Sequence, residues 1–495
     1  MFRRSALETI KAWIIDPSDG ALPLHARIQR GLRQLIIQGS IGPNQPLPPT
    51  RGLAQSLGVS RDTVEAAYSQ LHAEGFIVRR VGSGSFVAEI NKFEHKPKRV
   101  RSARLYPQKG KDISSRGYEI WDGGGVRDSR TPRPFAQGIP EVRNFPLALW
   151  EKLERQVLRE CGTDVLLPGD PQGAEPLRKA IANYVNLERG ARADASQIVI
   201  TTSSQQALWL CATILFDQGD YVFVENPGYH GAKKAFDAAG LKSIPIPVDE
   251  NGLRVDKMIG HNINAKAVAL TPSHQFPTGA KLSLDRRLAL IEWAKNSNSW
   301  LIEDDYDSEF HYFGKPTACV QGLDPNNRTI YIGTFTKSVF PSLRIGYLIL
   351  PPILVRPMTV ARTVLDGYNA QIVQLTLAHF IQGGHFGAYI RSMRAVYATR
   401  QKNLVKLINK HLSRFVSLEI PVGGLQMPLK LTRHLSERAV VDSAMSIGID
   451  LLGMSDLDMV GDVHPGFLMG FAAFTEKEME EGIKKLAKKF QSLDY

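Results

Sequence analysis

The chain has 495 residues, 43% of them apolar and 22% charged, which excludes a largely disordered protein and allows several domains with a large buried core. The three cysteines are widely spaced, so a disulfide framework and a CxxC metal site are excluded. The formal net charge is +12, and residues 1–130 hold 21 of the 61 basic and 12 of the 49 acidic side chains, a net charge of +9.

The basic first quarter indicates a module that binds a polyanion, joined to a nearly neutral body. Its start, MFRRSALETIKAW, has no apolar region after the basic pair, so we do not expect a signal peptide. The sequence contains no stretch of about 18 apolar residues that would predict a membrane span. Because so few cysteines are typical of a reducing compartment, these features favour a cytoplasmic protein.

Residues 17–90 have the pattern of a compact helical unit that ends in a β-hairpin. The sequence predicts a short helix over 50–57, a tight turn, and a second helix over 61–74 that Ser60 can cap. In the second helix three apolar side chains at helical spacing should pack inward: Val64, Tyr68 and Leu71. This is the spacing of a helix-turn-helix, whose second helix can enter the major groove of double-stranded DNA.

Two short apolar strands, 76–78 and 85–87, follow the helices. Between them lie Arg79, Arg80 and a turn that begins at Gly82. We interpret this hairpin as the wing of a winged helix.

The segment PLPPTRGLAQSLGVSRDTVEAAYSQLHAEGFIVRRVGSGSFV closely resembles the winged-helix domain of GntR-type transcription regulators. The family often has Ser where Pro49 stands here. Asp62 and Glu65 would repel phosphates, so they are expected to face bases or a neighbouring arginine. The resemblance implies contacts with DNA phosphates or bases from Arg51, Ser60, Arg61, Thr63 and Gly82.

The composition of the chain changes over residues 91–130. Between Lys92 and Lys111 there are eight basic residues and one acidic residue, Glu94, without apolar periodicity. This pattern predicts a mobile basic linker. It could act as a solubilising tether or make transient contacts with the DNA backbone.

From residue 131 to 495, short apolar runs alternate with amphipathic helical stretches, and a Glu/Lys-rich helix is predicted over 475–490. Nearly continuous apolar runs are typical of strands covered on both faces, so we expect an α/β domain with a largely parallel sheet. The predicted strands are 198–202, 221–224, 267–271, 300–302, 329–332 and 345–350.

Four polar stretches follow predicted strands, where α/β proteins bind ligands. They are IYIGTFTKSVFPSLRIGYLIL from residue 330, WLIEDDYDSEF from residue 300, TTSSQQAL from residue 201 and ENPGYHG from residue 225. Together they contain the groups that pyridoxal 5′-phosphate (PLP) requires: an amine, a buried carboxylate, an aromatic face, and hydroxyls with a cation for the phosphate.

We therefore expect Lys337 to form a Schiff base with PLP, and Asp304 to hold the ring nitrogen protonated. Tyr306 would donate to the O3′ phenolate, and Tyr229 would stack on the ring. A metal site at Asp304, Asp305 and Asp307 is an alternative, although the Gly and the closing Glu of a calcium loop are missing. The predicted phosphate ligands are Ser203, Ser204, Gln205, Thr334, Thr336 and Arg344.

This half resembles fold-type I aminotransferases, and TPSHQFPTG, IEDDYDSEF, GTFTKSVFPSLRIGY and IRSMRAVYATRQKNL are similar to the MocR/GabR family. That family joins a GntR-type winged helix to an aminotransferase-like domain. The resemblance implies a homodimeric transcription regulator that senses an amine, an amino acid or a B6 vitamer through PLP bound to Lys337.

Four positions depart from the aminotransferase pattern. Phe276 stands where an Asn usually supports O3′, and Ser203 stands where the phosphate turn usually has Gly. Leu468 replaces the Arg that grips the substrate's α-carboxylate, and Leu167 with Pro168 replaces a Tyr that faces the partner subunit. Arg133, Arg143 or an arginine of the partner subunit could supply that grip instead.

Three functions remain open from the sequence. The first is a PLP-dependent transcription regulator, and the second is a catalytically active aminotransferase with a DNA-binding appendage. The third is a regulator whose large domain no longer binds PLP. The winged helix and the missing carboxylate-binding arginine favour the first.

Overall fold

The structure, a computed structural model, describes residues 22–89, 106–126, 133–312, 317–432 and 435–493. The chain divides into two compact units, Met1–Tyr106 and Pro107–Tyr495. The predicted start of the first domain at residue 17 and the most basic part of the predicted linker lie outside the described residues. Within the described ranges, no helix has both the length and the apolar character that a membrane span needs.

The described part of the first unit contains three helices and a two-stranded antiparallel hairpin. Gly58, at a φ of +69°, ends the second helix, and the side chain of Ser60 caps the third by accepting from the backbone N–H of Thr63 at 3.1 Å. These local signals explain why the predicted elements were confirmed. The elements are α1 (Leu24–Ile37), α2 (Thr50–Leu57), α3 (Arg61–Ala73), β1 (Ile77–Arg80) and β2 (Gly84–Val87).

The core of this unit forms where α1 and α2 pack on α3. The three side chains predicted to point inward are buried, and the Tyr68 hydroxyl donates to the Pro48 carbonyl at 2.8 Å. Removal of these side chains from water holds the helices together, and each buried side chain contributes about 1.5–3 kcal/mol. On the opposite side of α3, Arg61, Asp62 and Ser69 are exposed.

The second unit begins with a helix that the sequence analysis did not predict. Residues Ser115–Asp122 form α4, and the Ser114 hydroxyl caps it by accepting from the Gly117 N–H at 2.9 Å. This helix lies inside the predicted linker, so that segment is not irregular throughout. The linker boundaries at 91 and 130 stay a prediction.

The rest of the second unit alternates helices and strands. The helices are α5 (Leu147–Cys161), α6 (Glu175–Arg189), α7 (Ser204–Ile214), α8 (His230–Ala239), α9 (Val255–Ile259), α10 (Leu284–Asn296), α11 (Val320–Leu323), α12 (Pro352–Leu365), α13 (Gln371–Gln382), α14 (His385–His411), α15 (Glu437–Ser446) and α16 (Glu476–Leu493). The strands are β3 (Ile198–Thr201), β4 (Tyr221–Asn226), β5 (Lys242–Asp249), β6 (Gly252–Leu253), β7 (Ala265–Leu270), β8 (Trp300–Asp305), β9 (Thr329–Thr334), β10 (Gly346–Ile349), β11 (Val416–Leu418), β12 (Gln426–Leu431), β13 (Leu452–Gly453) and β14 (Gly466–Gly470).

Eight strands form one sheet in the order β3-β10-β9-β8-β7-β4-β5-β6. The strands from β9 to β5 run parallel, and β10 and β6 pair antiparallel to their neighbours. Along β4, Val222 and Val224 pack on one face of the sheet and Phe223 on the other, so both faces are covered. The α/β fold predicted from the sequence is confirmed.

A second, antiparallel sheet of four strands has the order β11-β12-β14-β13. The parallel strands of the large sheet end on a common edge, which carries Asn226, Leu270, Asp305 and Thr334 as their last residues. This edge gathers three of the four polar stretches, and the remaining one follows the neighbouring strand β3.

Candidate cofactor site and DNA-contacting surface

Lys337 lies three residues after β9, at the carboxyl edge of the large sheet. Its ammonium group donates a hydrogen bond to the Gly138 carbonyl. Gly138 has a φ of +64°, and a Cβ atom there would lie 2.7 Å from Nζ of Lys337. The left-handed backbone favours a glycine at this position, and the sequence analysis did not find it, because a single glycine carries no local signal.

The pairing register aligns the ends of four strands. Asp304 of β8 pairs with Ile332 of β9, and Thr334 of β9 pairs with Gly346 of β10. Gly346 in turn pairs with Thr201 at the end of β3. The stretches that contain Asp304, Lys337, Arg344 and Ser203 consequently meet at one edge of the sheet.

Asp304 is the buried carboxylate of this edge, with 8% of the residue exposed. Burial, and then the nearby carboxylates of Asp305, Glu225 and Asp307, raises its pKa to about 7. Among the described residues, no group donates a hydrogen bond to its buried Oδ1 atom. A cationic N–H donor placed against Oδ1 would satisfy this atom and restore the charged form.

Three aromatic rings contact one another next to the polar stretches of this edge. Phe276 lies edge-on between Tyr229 and Tyr306, with ring centroids 5.9 Å and 6.1 Å away. Burial and nearby carboxylates raise the pKa of Tyr306 well above its ordinary value, so it stays a neutral phenol that can donate a proton in a hydrogen bond. Phe276 has no hydrogen-bonding side chain, so the donors among these three rings are the hydroxyls of Tyr229 and Tyr306.

Glu225, which the sequence analysis did not single out, holds the loop that carries Phe276. Its Oε2 atom accepts from the backbone N–H and the hydroxyl of Thr271 at 3.1 Å and 2.7 Å. The same hydroxyl accepts from the Phe276 N–H at 2.9 Å. Burial raises the pKa of Glu225 to about 7.

The turn from β3 into α7 contains the predicted phosphate ligands Ser203, Ser204 and Gln205. Ser203 caps α7 by accepting from the Gln206 N–H at 3.2 Å, and Ser204 is the first residue of the helix. Ser203 has a φ of −175°, an extended conformation that any residue adopts, so replacement of the usual glycine causes no strain. The N–H groups at the N-terminus of a helix are a typical place for an anion to bind.

Two further strand ends supply hydroxyls and a cation to this edge. The Thr334 hydroxyl donates to that of Thr336 at 2.9 Å, and both residues are buried. Arg344 is exposed and has a left-handed backbone with a φ of +54°. Gln205 donates from Nε2 to the Gly231 carbonyl at 2.8 Å, which ties α7 to α8.

The acidic stretch after β8 divides among different partners. Asp305 accepts from Arg189 at 2.9 Å and from Tyr331 at 2.6 Å, whereas Asp307 lies 3.1 Å from Nδ1 of His274. Burial alone would raise the pKa of Asp305, but the Arg189 guanidinium holds it below its ordinary value. In the described part of the chain, no cluster of His, Cys, Asp and Glu could hold a metal ion, so the calcium alternative gains no support.

The opposite side of the site is apolar. Leu468 of β14 is fully buried and belongs to one cluster with Met454, Leu457 and the partly buried Phe276. Two departures from the aminotransferase pattern, Phe276 and Leu468, therefore pack into the same hydrophobic cluster. Leu457 also lines a cavity together with Tyr229 and Asp304.

The arginines considered as substitutes for the missing one have other partners. Arg143 binds both oxygens of Glu141, from Nε at 2.8 Å and from Nη2 at 2.7 Å. Arg133 donates to the sulfur of Met445.

In the first unit, the residues predicted to contact DNA lie around α3 and the wing. Arg51 and Arg61 are exposed at the starts of α2 and α3, and Gly82 has a φ of +74° at the tip of the wing. The hydroxyls of Ser60 and Thr63 lie 2.7 Å apart at the start of α3.

The acidic residue Glu65 on α3 is neutralised by the hairpin. It forms an ion pair with Arg79 at 2.8 Å, and Arg79 also donates to Ser69 at 2.9 Å. Of the two surroundings expected for Glu65, bases or a neighbouring arginine, the structure shows the arginine.

Comparison with protein families matches both units. Residues 24–87 match the model of bacterial regulatory proteins of the gntR family, and residues 137–455 match that of class I and II aminotransferases. The probable rhizopine catabolism regulatory protein MocR of Rhizobium meliloti is 33% identical over 479 residues, covering 96% of this chain and 95% of that protein. This chain belongs to the MocR-type transcription regulators.

Other relatives agree with the MocR-type architecture. The pyridoxine biosynthesis transcriptional regulator PdxR of Corynebacterium glutamicum is 31% identical over 453 residues, covering 90% of this chain and 91% of that protein. The large unit is similar to the kynurenine aminotransferase of Pyrococcus horikoshii, solved with PMP, with a TM-score of 0.68 and 26% identity over 79% of this chain and 97% of that one. A MocR-type chain thus combines a DNA-binding helix-turn-helix with an aminotransferase-like domain of a class that typically binds PLP.

Proposed function

We propose that this protein is a cytoplasmic transcription regulator that binds PLP through Lys337 and changes its affinity for double-stranded DNA in response to a small amine or B6 vitamer. The observation that carries the proposal is the buried Oδ1 atom of Asp304, which lacks a donor among the described residues, in a chain that also has a winged helix. PLP, when bound, supplies an aldehyde for a lysine amine and a ring that withdraws electrons.

The residues at the sheet edge fit this cofactor. Lys337 would hold it covalently, Asp304 would accept from the ring N–H, and Tyr306 would donate to the ring oxygen. Tyr229 would cover one face of the ring. The phosphate would lie against the first turn of α7 with Ser203, Ser204, Gln205, Thr334, Thr336 and Arg344.

For the DNA contact, the exposed face of α3 would enter the major groove while the wing follows the backbone. Arg61 and Arg51 provide positive charge, and the ion pair with Arg79 lowers the repulsion that Glu65 would cause. The proposed contacts are Arg51, Ser60, Arg61, Thr63 and Gly82.

The apolar side of the site favours an effector without an α-carboxylate. A carboxylate placed beside Leu468, Leu457 and Phe276 would be desolvated without a cation in that cluster of described residues. Arg143 is already bound to Glu141. A B6 vitamer or an amine without an α-carboxylate therefore suits the site better than an ordinary α-amino acid, unless the partner subunit supplies an arginine.

The same feature argues against the alternative, an active aminotransferase with a DNA-binding appendage. Such an enzyme needs to grip an amino acid strongly enough to orient its Cα–H bond. A regulator and an aminotransferase would both use Lys337, Asp304 and Tyr306 to bind PLP. Only the apolar side of the site therefore distinguishes the two functions.

Exposed apolar side chains near α12 support a homodimer. Leu167 is 61% exposed and Val364 is 85% exposed. Gln371, which begins α13, donates to the Leu167 carbonyl at 2.8 Å. Isolated exposed apolar residues need no explanation, but several on neighbouring segments are typical of an interface.

Purified full-length protein tests the proposal. We expect a visible absorbance band on addition of PLP, and a change in affinity for duplex DNA selected by this protein from a random pool. A panel of simple amines, B6 vitamers and α-amino acids should show responses only to the first two classes. Turnover of an amino acid with a keto acid would instead support the aminotransferase, and DNA affinity that ignores PLP and every amine would refute the proposal.

A further inference from the structure

The helix α4, inside the predicted linker, docks on α8 of the large unit. Nε of Arg116, in the first turn of α4, donates to the Ala238 carbonyl at 2.6 Å. Nζ of Lys234 on α8 donates to the Gly125 carbonyl just beyond the end of α4 at 2.9 Å. Two hydrogen bonds, one at each end of α4, thus fasten this segment to the last two turns of α8.

The opposite end of α8 lies at the cofactor site. Tyr229 is the residue that precedes its first turn, and His230 and Lys233 line the same cavity as Asp304. The Gly231 carbonyl accepts from Gln205 of the phosphate turn at 2.8 Å. A helix of ten residues spans about 15 Å, so α8 is a short rod that joins the cofactor site to α4.

The docking of α4 depends on few contacts. None of its residues is buried in the described structure, and the side chains of Ile120 and Trp121 are 46% and 43% exposed. The segment is held internally by the Ser114 cap and by an ion pair between Lys109 and Glu119 at 3.1 Å. Isolated helices of this length are unstable in water, so small changes at α8 can shift the balance between docked and released states.

We propose that the contact between α4 and α8 transmits the state of the cofactor site to the chain that leads to the DNA-binding unit. This inference rests on the proposed function. A ligand stacked on Tyr229 and bound by the α7 turn would fix the start of α8, and thereby favour the docked state of residues 107–126. Docking holds residues 107–126 on the large unit and thereby limits the reach of the DNA-binding unit, which changes its affinity for two half-sites.

The energy required is small. A tenfold change in DNA affinity corresponds to about 1.4 kcal/mol. One or two hydrogen bonds of the kind made by Arg116 and Lys234 supply a free energy of this size. The contact is therefore strong enough to regulate and weak enough to open.

The first test is hydrogen exchange of the full-length protein with and without PLP. We expect PLP to slow amide exchange in α4, although no residue of α4 belongs to the proposed cofactor site. Unchanged exchange in α4, together with slower exchange in the first turn of α7, would overturn the inference.

The second test measures the ratio of DNA affinities with and without PLP in variants. Arg116→Ala and Lys234→Ala should bring this ratio at least about threefold closer to one, because each removes one of the two hydrogen bonds. Both variants should bind PLP as the wild type does. Arg116→Lys should restore part of the wild-type ratio of DNA affinities. Arg438→Ala is the matched control, since its side chain is 93% exposed on α15.

The outcomes separate this inference from the proposed function. If the wild-type protein responds to PLP but Arg116→Ala and Lys234→Ala keep the full ratio, the proposed function stands and the inference fails. If PLP slows exchange in α4 while wild-type DNA affinity ignores PLP, the contact between α4 and α8 responds to the site but the proposed function fails.

Discussion

On one side of the site at the sheet edge, Lys337, Asp304 and Tyr306 present the polar groups that a PLP-binding domain needs. On the other side, Phe276, Leu457 and Leu468 pack into an apolar cluster where an aminotransferase would grip a carboxylate. The two sides are built on different sheets, with Asp304 on β8 and Leu468 on β14. A domain can therefore keep a cofactor cradle while losing the amino-acid grip, because separate elements carry them.

The largest effect is expected from Lys337→Ala, which removes the only nucleophilic amine proposed for the cofactor. Covalent attachment of PLP should be lost completely, while the fold and the phosphate turn remain. The measurement is borohydride reduction followed by mass spectrometry, with the exposed Lys266→Ala as a control that should still be labelled. A reducible adduct in Lys337→Ala would assign the cofactor to another lysine.

Leu468→Arg tests the apolar side by placing a charge in it. Because Leu468 is fully buried, we expect the free energy of unfolding to fall by about 3–5 kcal/mol. An α-amino acid would supply the missing carboxylate and should recover part of this loss, which thermal unfolding with and without the amino acid would show. Leu468→Ala, costing about 2–5 kcal/mol, should gain no such response. Equal behaviour of the two variants would mean that the cluster does not face the effector.

Asp304→Asn tests the cofactor side. We expect PLP affinity to fall by about 1.5–3 kcal/mol, because an amide cannot form the charge-assisted hydrogen bond to the ring N–H. Binding measured by absorbance and by retention on dialysis checks this. An unchanged spectrum and affinity would show that Asp304 is not the partner of the ring.

Asp304→Asn also tests how the free energy of unfolding depends on pH. Without ligand, the pKa of Asp304 is about 7 in the folded protein, against an ordinary value of 3.8. The folded state then binds this proton more tightly, so the contribution of Asp304 to stability is lost as pH rises from about 4 to 7. In Asp304→Asn, the free energy of unfolding should therefore fall less over this range than in the wild type. Parallel pH profiles of denaturant unfolding would contradict the raised pKa.

Arg61→Ala tests the proposed DNA contact of α3, outside the cofactor site. DNA affinity should fall by about 1–3 kcal/mol, because one base or phosphate contact is removed. PLP binding should not change, since the variant lies in the other unit. Salt titrations of DNA binding, with Arg438→Ala as a control for loss of surface charge, would measure the effect. Unchanged affinity would contradict the assignment of α3 as the helix that contacts DNA.

The winged helix and the polar edge of the large sheet could be predicted from local sequence patterns. In the first unit, Gly58 and Ser60 act on their immediate neighbours, so the bounds of α2 and the start of α3 could be predicted from local chemistry. Polar residues that interrupt apolar runs also mark strand ends, which placed Asp304 and Lys337 at one edge. The family resemblance added their expected roles.

The contacts between distant side chains could not be predicted in this way. Lys337 and Gly138 are 199 residues apart, and Asp305 and Arg189 are 116 apart. Successive residues of a strand point to opposite faces, so Asp305 binds Arg189 while the adjacent Asp304 faces the other way, and the sequence alone does not name the distant partner. The cluster that joins Phe276 to Leu468 and the docking of α4 on α8 could not be predicted for the same reason. Such contacts form between distant segments that the fold brings together, whereas caps and periodicity act within one or two turns.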